Sequence, residues 1–146
     1  MEDKLNDDSK WSKACIRISG DNLQPDEVSR ELGLQATKSG LKGERLSGRP
    51  RMRPLLSSLW MLNSPLSDQS PLEDHLKWLL DVLEPKFHVI SRITKQHQAE
   101  FFCGFGSDNG QGGCIFAVEL LERLVKLGVP LVLDLHPPGP IALDSE

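Results

Sequence analysis

The chain has 146 residues and a formal charge of −4, with 17 Lys and Arg against 21 Asp and Glu. That length fits one domain with a sizeable core, and the acidic balance argues against a dedicated DNA-binding domain, which is usually basic. No apolar stretch approaches the roughly 18 residues a membrane helix needs, Met1–Lys10 is charged rather than signal-like, and Cys15, Cys103 and Cys114 lack CxxC spacing. A cytoplasmic protein with free thiols and no membrane contact is therefore expected.

Residues 1–10 carry four acids with little to bury and read as a flexible tail ahead of a single domain at 11–136. From Ala14, the alternation of Ala14, Ile16 and Ile18 with Cys15, Arg17 and Ser19 predicts a half-buried strand ending at Gly20. Pro25 suits a first helical turn, and Asp26 and Glu27 follow where the positive helix end favours acids. Val28 and Leu32 share a face, and Gly33 closes this helix, Pro25 to Leu32. Residues 35–54 hold no period and contain Gly40, Gly43, Gly48, Pro50 and Pro54, so they read as a long loop.

A strand is predicted over Ser58 to Asn63, around Trp60. Ser70-Pro71-Leu72-Glu73 has capping-box spacing and predicts a helix from Pro71 to Leu83, with Leu72, Leu76, Leu79, Leu80 and Leu83 on its apolar face and Pro85 as the stop. Phe87 to Thr94 and Ala99 to Phe105 read as two strands of an antiparallel hairpin. A glycine-rich turn, Gly104 to Gly113, leads to Cys114–Phe116, either a short strand or the helix entry. The last helix runs from Val118 to Leu127, closed by Gly128. Pro130 to Leu135 is a continuous apolar run, as for a central strand buried on both faces. Pro137, Pro138 and Pro140 leave 137–146 as an extended tail.

The phrase from Ala14 to Leu34 and the phrase from Cys114 to Leu135 resemble each other, each combining a strand with a helix that stops at Leu-Gly. The expected fold is α+β: a single-domain mixed, largely antiparallel sheet with helices packed on it, built from two related strand-helix units. Trp60, Leu76, Leu79, Leu121 and Leu133 are expected in the core, and Trp78 and Phe87 are read as packing residues.

One charge feature opposes the acidic whole. Lys38, Lys42, Arg45, Arg49, Arg51 and Arg53 face only Glu44 between Lys38 and Pro54. Such a loop attracts an acidic protein surface, a phosphate ligand or nucleic acid, or is simply solvated, and no aromatic lies within it for base stacking. The glycines Gly104, Gly106, Gly110, Gly112 and Gly113 lack the following Lys-Ser/Thr of a phosphate loop and are read as a turn. Asp134 and His136 stand two apart at a strand end, on one side, where they can share a proton or a metal; two ligands do not make a site, and no metal or cofactor is expected. His75, His88 and His97 show no ligand spacing, and no motif nominates a nucleophile.

In order along the chain, IRISG (16–20), LQPDEVSRELGL (23–34), KGE (42–44), LWMLNS (59–64), LEDHLKWLLDVLEP (72–85) and ELLERLVKLGVPLVLDL (119–135) resemble a bacterial family, domain of unknown function 4279. The chain differs from that pattern in its Asp-Leu-His strand end and its Arg-rich loop. The resemblance implies no catalytic residues. By analogy with other small families, it suggests an immunity- or antitoxin-like module. The expected function is a non-enzymatic interaction with a protein partner, in which a homo-oligomer would also fit. Two alternatives remain: an anionic ligand or nucleic acid on loop 38–54, or an enzyme site assembled from dispersed residues.

Overall fold

The structure is a computed structural model and describes residues 10–46, 53–108 and 112–136. The expected tails at 1–9 and 137–146 lie outside the described residues, as do Arg49 and Arg51 of the basic loop. Along the chain run β1 (Lys10–Gly20), α1 (Pro25–Leu32), β2 (Lys38–Gly40), β3 (Ser58–Asn63), α2 (Leu72–Leu83), a 3-10 turn (Glu84–Lys86), α3 (Phe87–Gln96), β4 (Gln98–Ser107), α4 (Val118–Leu127) and β5 (Leu131–His136). The strands form one sheet in the order β2-β3-β1-β4-β5. All pairings are antiparallel except the parallel β4–β5 contact. This is the mixed, largely antiparallel α+β fold that the sequence implies.

Period-two alternation decides which face is covered. Ala14, Ile16 and Ile18 of β1, Trp60 and Leu62 of β3, and Phe101 and Cys103 of β4 join one buried cluster with the apolar stripes of all four helices. The register sets Ile18 opposite Trp60 and Ile16 opposite Phe101, so these side chains share a face. Residues of the other parity, including Lys13, Arg17, Met61, Glu100 and Phe102, form a second face on which no helix packs among the described residues. Trp60 is fully buried, and its indole N–H donates to Ser29 Oγ of α1 at 2.8 Å, which satisfies the one polar atom of the side chain.

The two Leu-Gly helix ends match in detail. Gly33 and Gly128 both cap with left-handed backbone, at φ 68° and 78°. The two units differ in order, since Cys114–Phe116 form no strand and the strand of the second unit follows its helix.

Several local expectations are corrected. Phe87–Gln96 is a helix, not a hairpin strand: Ile90 and Ile93, three apart, are its buried residues, a spacing that two-residue alternation cannot place on one face. Pro85 ends α2 yet does not break the helical path, because a proline fits early in the 3-10 turn that carries the chain into α3. β5 is an edge strand rather than a central one, since β4 is its only partner among the described residues. Leu121 and Leu133, expected in the core, are 43% and 45% exposed, and Phe87 is similarly exposed.

A further correction concerns the capping box. The N-cap of α2 is Pro71, with no side-chain cap bond, and the Ser70 carbonyl instead accepts a 2.7 Å hydrogen bond from Ser12 Oγ. Because the Ser70 interaction uses the backbone, Ser70→Ala is expected to change unfolding free energy by no more than about 0.5 kcal/mol, well short of the loss of a helix cap. Urea unfolding of that variant checks this.

Candidate functional site

The helix-free face carries the most developed arrangement of side chains outside the core. The antiparallel register sets Trp11 opposite Gly106 and Lys13 opposite Gly104. Both glycines leave room for the indole of Trp11: a Cβ on Gly106 would meet Trp11 Nε1 at 2.4 Å, and one on Gly104 would meet the ring at 3.2 Å. The two glycines thus act through space, letting an aromatic plate lie directly on β4. The His136 ring is 5.1 Å from the Trp11 ring, tilted 55°, and Lys13 Nζ stands 5.8 Å above it.

Two polar side-chain pairings lie on this face. His136 Nε2 and Asp134 Oδ2 are 2.8 Å apart, so the two residues do share a face at the end of β5, as their spacing suggests. Further along β1, Arg17 donates Nε to Glu100 of β4 at 3.1 Å and its Nη2 also bonds that carboxylate. The Arg17 guanidinium stacks on Phe102 at 3.9 Å, fixing a cation and an aromatic as one half-buried unit.

Two open grooves flank Trp11. One, of about 540 Å³, runs along the helix-free face past Lys13, Cys15, Phe102 and His136. The other, of about 610 Å³, lies at the start of α2 and is lined by Ser12, Glu73, Phe105 and Cys114. The 64–70 segment walls both, held to β1 by the Ser64 N–H to Ala14 carbonyl and Ser12 N–H to Asp68 carbonyl bonds, each 2.9 Å.

Burial shifts four of the groups capable of proton or nucleophile chemistry. All three cysteines are free; burial pushes the Cys15 and Cys114 thiols up and Cys103 up to about 12, so they are thiols at neutral pH. His75 is 1% exposed, and its Nδ1 lies 2.7 Å from Ser64 Oγ. Burial holds its pKa below the usual histidine value, against weaker opposing pulls from the Ser12 carbonyl, Asp74 and Asp68. No group of three or more His, Cys, Asp or Glu among the described residues is placed to hold a metal ion.

The neutral state of His75 has a thermodynamic consequence. A histidine whose folded pKa is depressed contributes stability above its unfolded value of 6.5, and that stability is lost as pH falls through the folded pKa. Thermal melts are expected to show wild type losing more stability between about pH 7 and about pH 5.5 than His75→Gln, which cannot protonate there.

Part of the basic loop's charge meets acids among the described residues. Lys42 Nζ is 3.4 Å from Asp21, and Glu44 sits inside the loop, accepting from the Leu41 N–H at 2.7 Å. Lys38 lies on β2, opposite Met61, and Arg45 and Arg53 are exposed. Gly104 and Gly106, read as part of a turn, belong to β4 and serve Trp11. The Trp11 plate and the Arg17–Glu100–Phe102 unit escaped sequence reading; the available signal was the Gly-Phe-Gly alternation at 104–106, with both small residues on one strand face.

The chain belongs to the family described as Domain of unknown function (DUF4279), whose model matches residues 9–138. No curated protein and no solved structure matches it. Among the described residues, no helix is long and apolar enough to cross a membrane.

Proposed function

We propose that this DUF4279 domain is a non-enzymatic protein-interaction module that takes its partner on the helix-free face of the sheet, around Trp11. The observation that carries this reading is the Trp11 plate lying on Gly104 and Gly106 beside an open groove on that face. Tryptophan and arginine are enriched among the few residues that carry most of the binding energy of protein interfaces. Here Trp11 and the Phe102-stacked Arg17 offer both. The Arg17–Glu100 ion pair is already formed on this face and Asp134 already has His136 Nε2 at 2.8 Å, so a partner covering them does not strip these groups of their contacts. By analogy with other small bacterial families, a toxin protein is the favoured partner class, in an immunity-like role within the cytoplasm.

The test is capture of a partner from the native organism by three forms of the full chain. Wild type and the Arg49→Glu/Arg51→Glu variant are expected to recover the same protein. Trp11→Ala is expected to lose it, with an affinity drop of roughly thirtyfold or more, as for a hot-spot residue worth about 2 kcal/mol. Retention by Trp11→Ala together with loss in the arginine reversals would move recognition to the basic loop and to an anionic ligand.

A further inference from the structure

Ten large hydrophobic residues are exposed among the described residues, and six of them fall between Ile115 and Leu135. Val118, Leu121 and Val125, spaced three and four apart, form a stripe along α4 distinct from the buried stripe of Leu120, Leu124 and Leu127. A helix at the surface of a monomer needs only one apolar stripe. The next element repeats the pattern. Leu133 and Leu135 lie opposite Cys103 and Phe105 in register, following Leu131 opposite the buried Phe101, so they project on the helix-bearing side, the side of α4. The outer edge of β5 has no partner strand among the described residues. Its sequence, LVLDLH, has no proline, lysine or bulge of the kind that usually protects such an edge.

We propose that a second copy of this chain covers this edge: the two β5 strands pair antiparallel about a two-fold axis at Leu133, joining two five-stranded sheets into one. The strand is self-complementary in that register. Leu133 meets its own copy, Leu131 meets Leu135, and Val132 meets Asp134, whereas centring on Asp134 would oppose two carboxylates. The same axis suits α4, which the chain leaves through Gly128–Pro130 to enter β5. The middle of the exposed stripe, between Leu121 and Glu122, is about 8 Å of helix from Leu127. Leu133 is about 7 Å of strand from Leu131, so one axis serves both elements. Antiparallel α4 helices then set Val118 against the second copy's Val125 and bring Glu119 toward the second copy's Lys126, an opposite-charge pairing at both ends. This assembly leaves the helix-free faces open side by side and is independent of partner recognition at Trp11.

Sedimentation equilibrium of the full chain tests the proposal. Wild type is expected at twice the 16.3 kDa chain mass. Val125→Glu, at a side chain 78% exposed and without a core role, is expected at the mass of one chain with an unchanged far-ultraviolet spectrum. Leu133→Cys in a Cys114→Ser background is expected to form a disulfide-linked dimer on mild oxidation. A monomeric wild type would overturn the proposal, assigning the edge to residues 137–146 or to another protein. A dimer that survives Val125→Glu and gives no Leu133→Cys crosslink would overturn it too, placing the contact elsewhere.

Discussion

Leu79→Ala is expected to lower the free energy of unfolding by about 2–5 kcal/mol, the range for truncating a buried leucine. Leu79 is fully buried in the cluster that joins α2 to β1, and its neighbours Leu76, Leu80 and Leu83 are equally enclosed. The variant loses the transfer energy of the removed carbons and leaves a cavity that β1, fixed by strands on both sides, can close only in part. Leu56→Ala is the matched control, since Leu56 is 88% exposed and a surface change of this kind stays within about 0.5 kcal/mol. Urea unfolding should show a lower midpoint for Leu79→Ala with an unchanged slope, and neither change for Leu56→Ala. Equal midpoints for the two variants would mean that the buried face of α2 has been misassigned.

Gly106→Ala is expected to disable recognition without removing a recognition side chain. The added carbon would lie within 2.7 Å of three Trp11 ring atoms, closer than any real Cβ contact, so the indole must leave β4. Backbone conformation is not the cause, because Gly106 does not adopt positive φ. Overpacking of this kind costs typically about 1–3 kcal/mol, and at a half-buried site the side chain escapes toward solvent. In an amide NMR spectrum the Trp11 indole cross-peak should move while those of Trp60 and Trp78 stay. Partner binding should fall as far as in Trp11→Ala. A Gly106→Ala protein that binds normally with all three indole peaks in place would show that the plate is not needed.

The elements that the sequence placed well are those whose signals are local. Pro25 and Gly33 bracket α1, Gly128 closes α4, and the apolar run around Trp60 coincides with β3. Misplaced elements depended on neighbours distant in the chain. The run Val89-Ile90-Ser91-Arg92-Ile93 fits either period until packing selects Ile90 and Ile93, and an apolar strand such as β5 reads alike at the centre or edge of a sheet. The same limit hid the candidate site. Trp11 and Gly106 are 95 positions apart, and only the β1–β4 register makes them partners; Arg17, Glu100 and Phe102 are likewise assembled across that strand pair. The basic loop was the reverse case, a run of charge evident in sequence to which the fold adds one distant acid, Asp21, beside Lys42.

Amide hydrogen exchange of the chain alone and bound to its captured partner addresses the central claim most directly, because it reports where the partner sits without altering any residue. The expected result is added protection in Lys10–Arg17 and Glu100–Gly106, the two strand segments that carry Trp11, Arg17 and Phe102, together with the 64–70 wall of the grooves. Protection confined to Lys38–Pro54, or to the outward side of α1 and α3, with β1 and β4 unchanged, would contradict the assignment of recognition to the helix-free face.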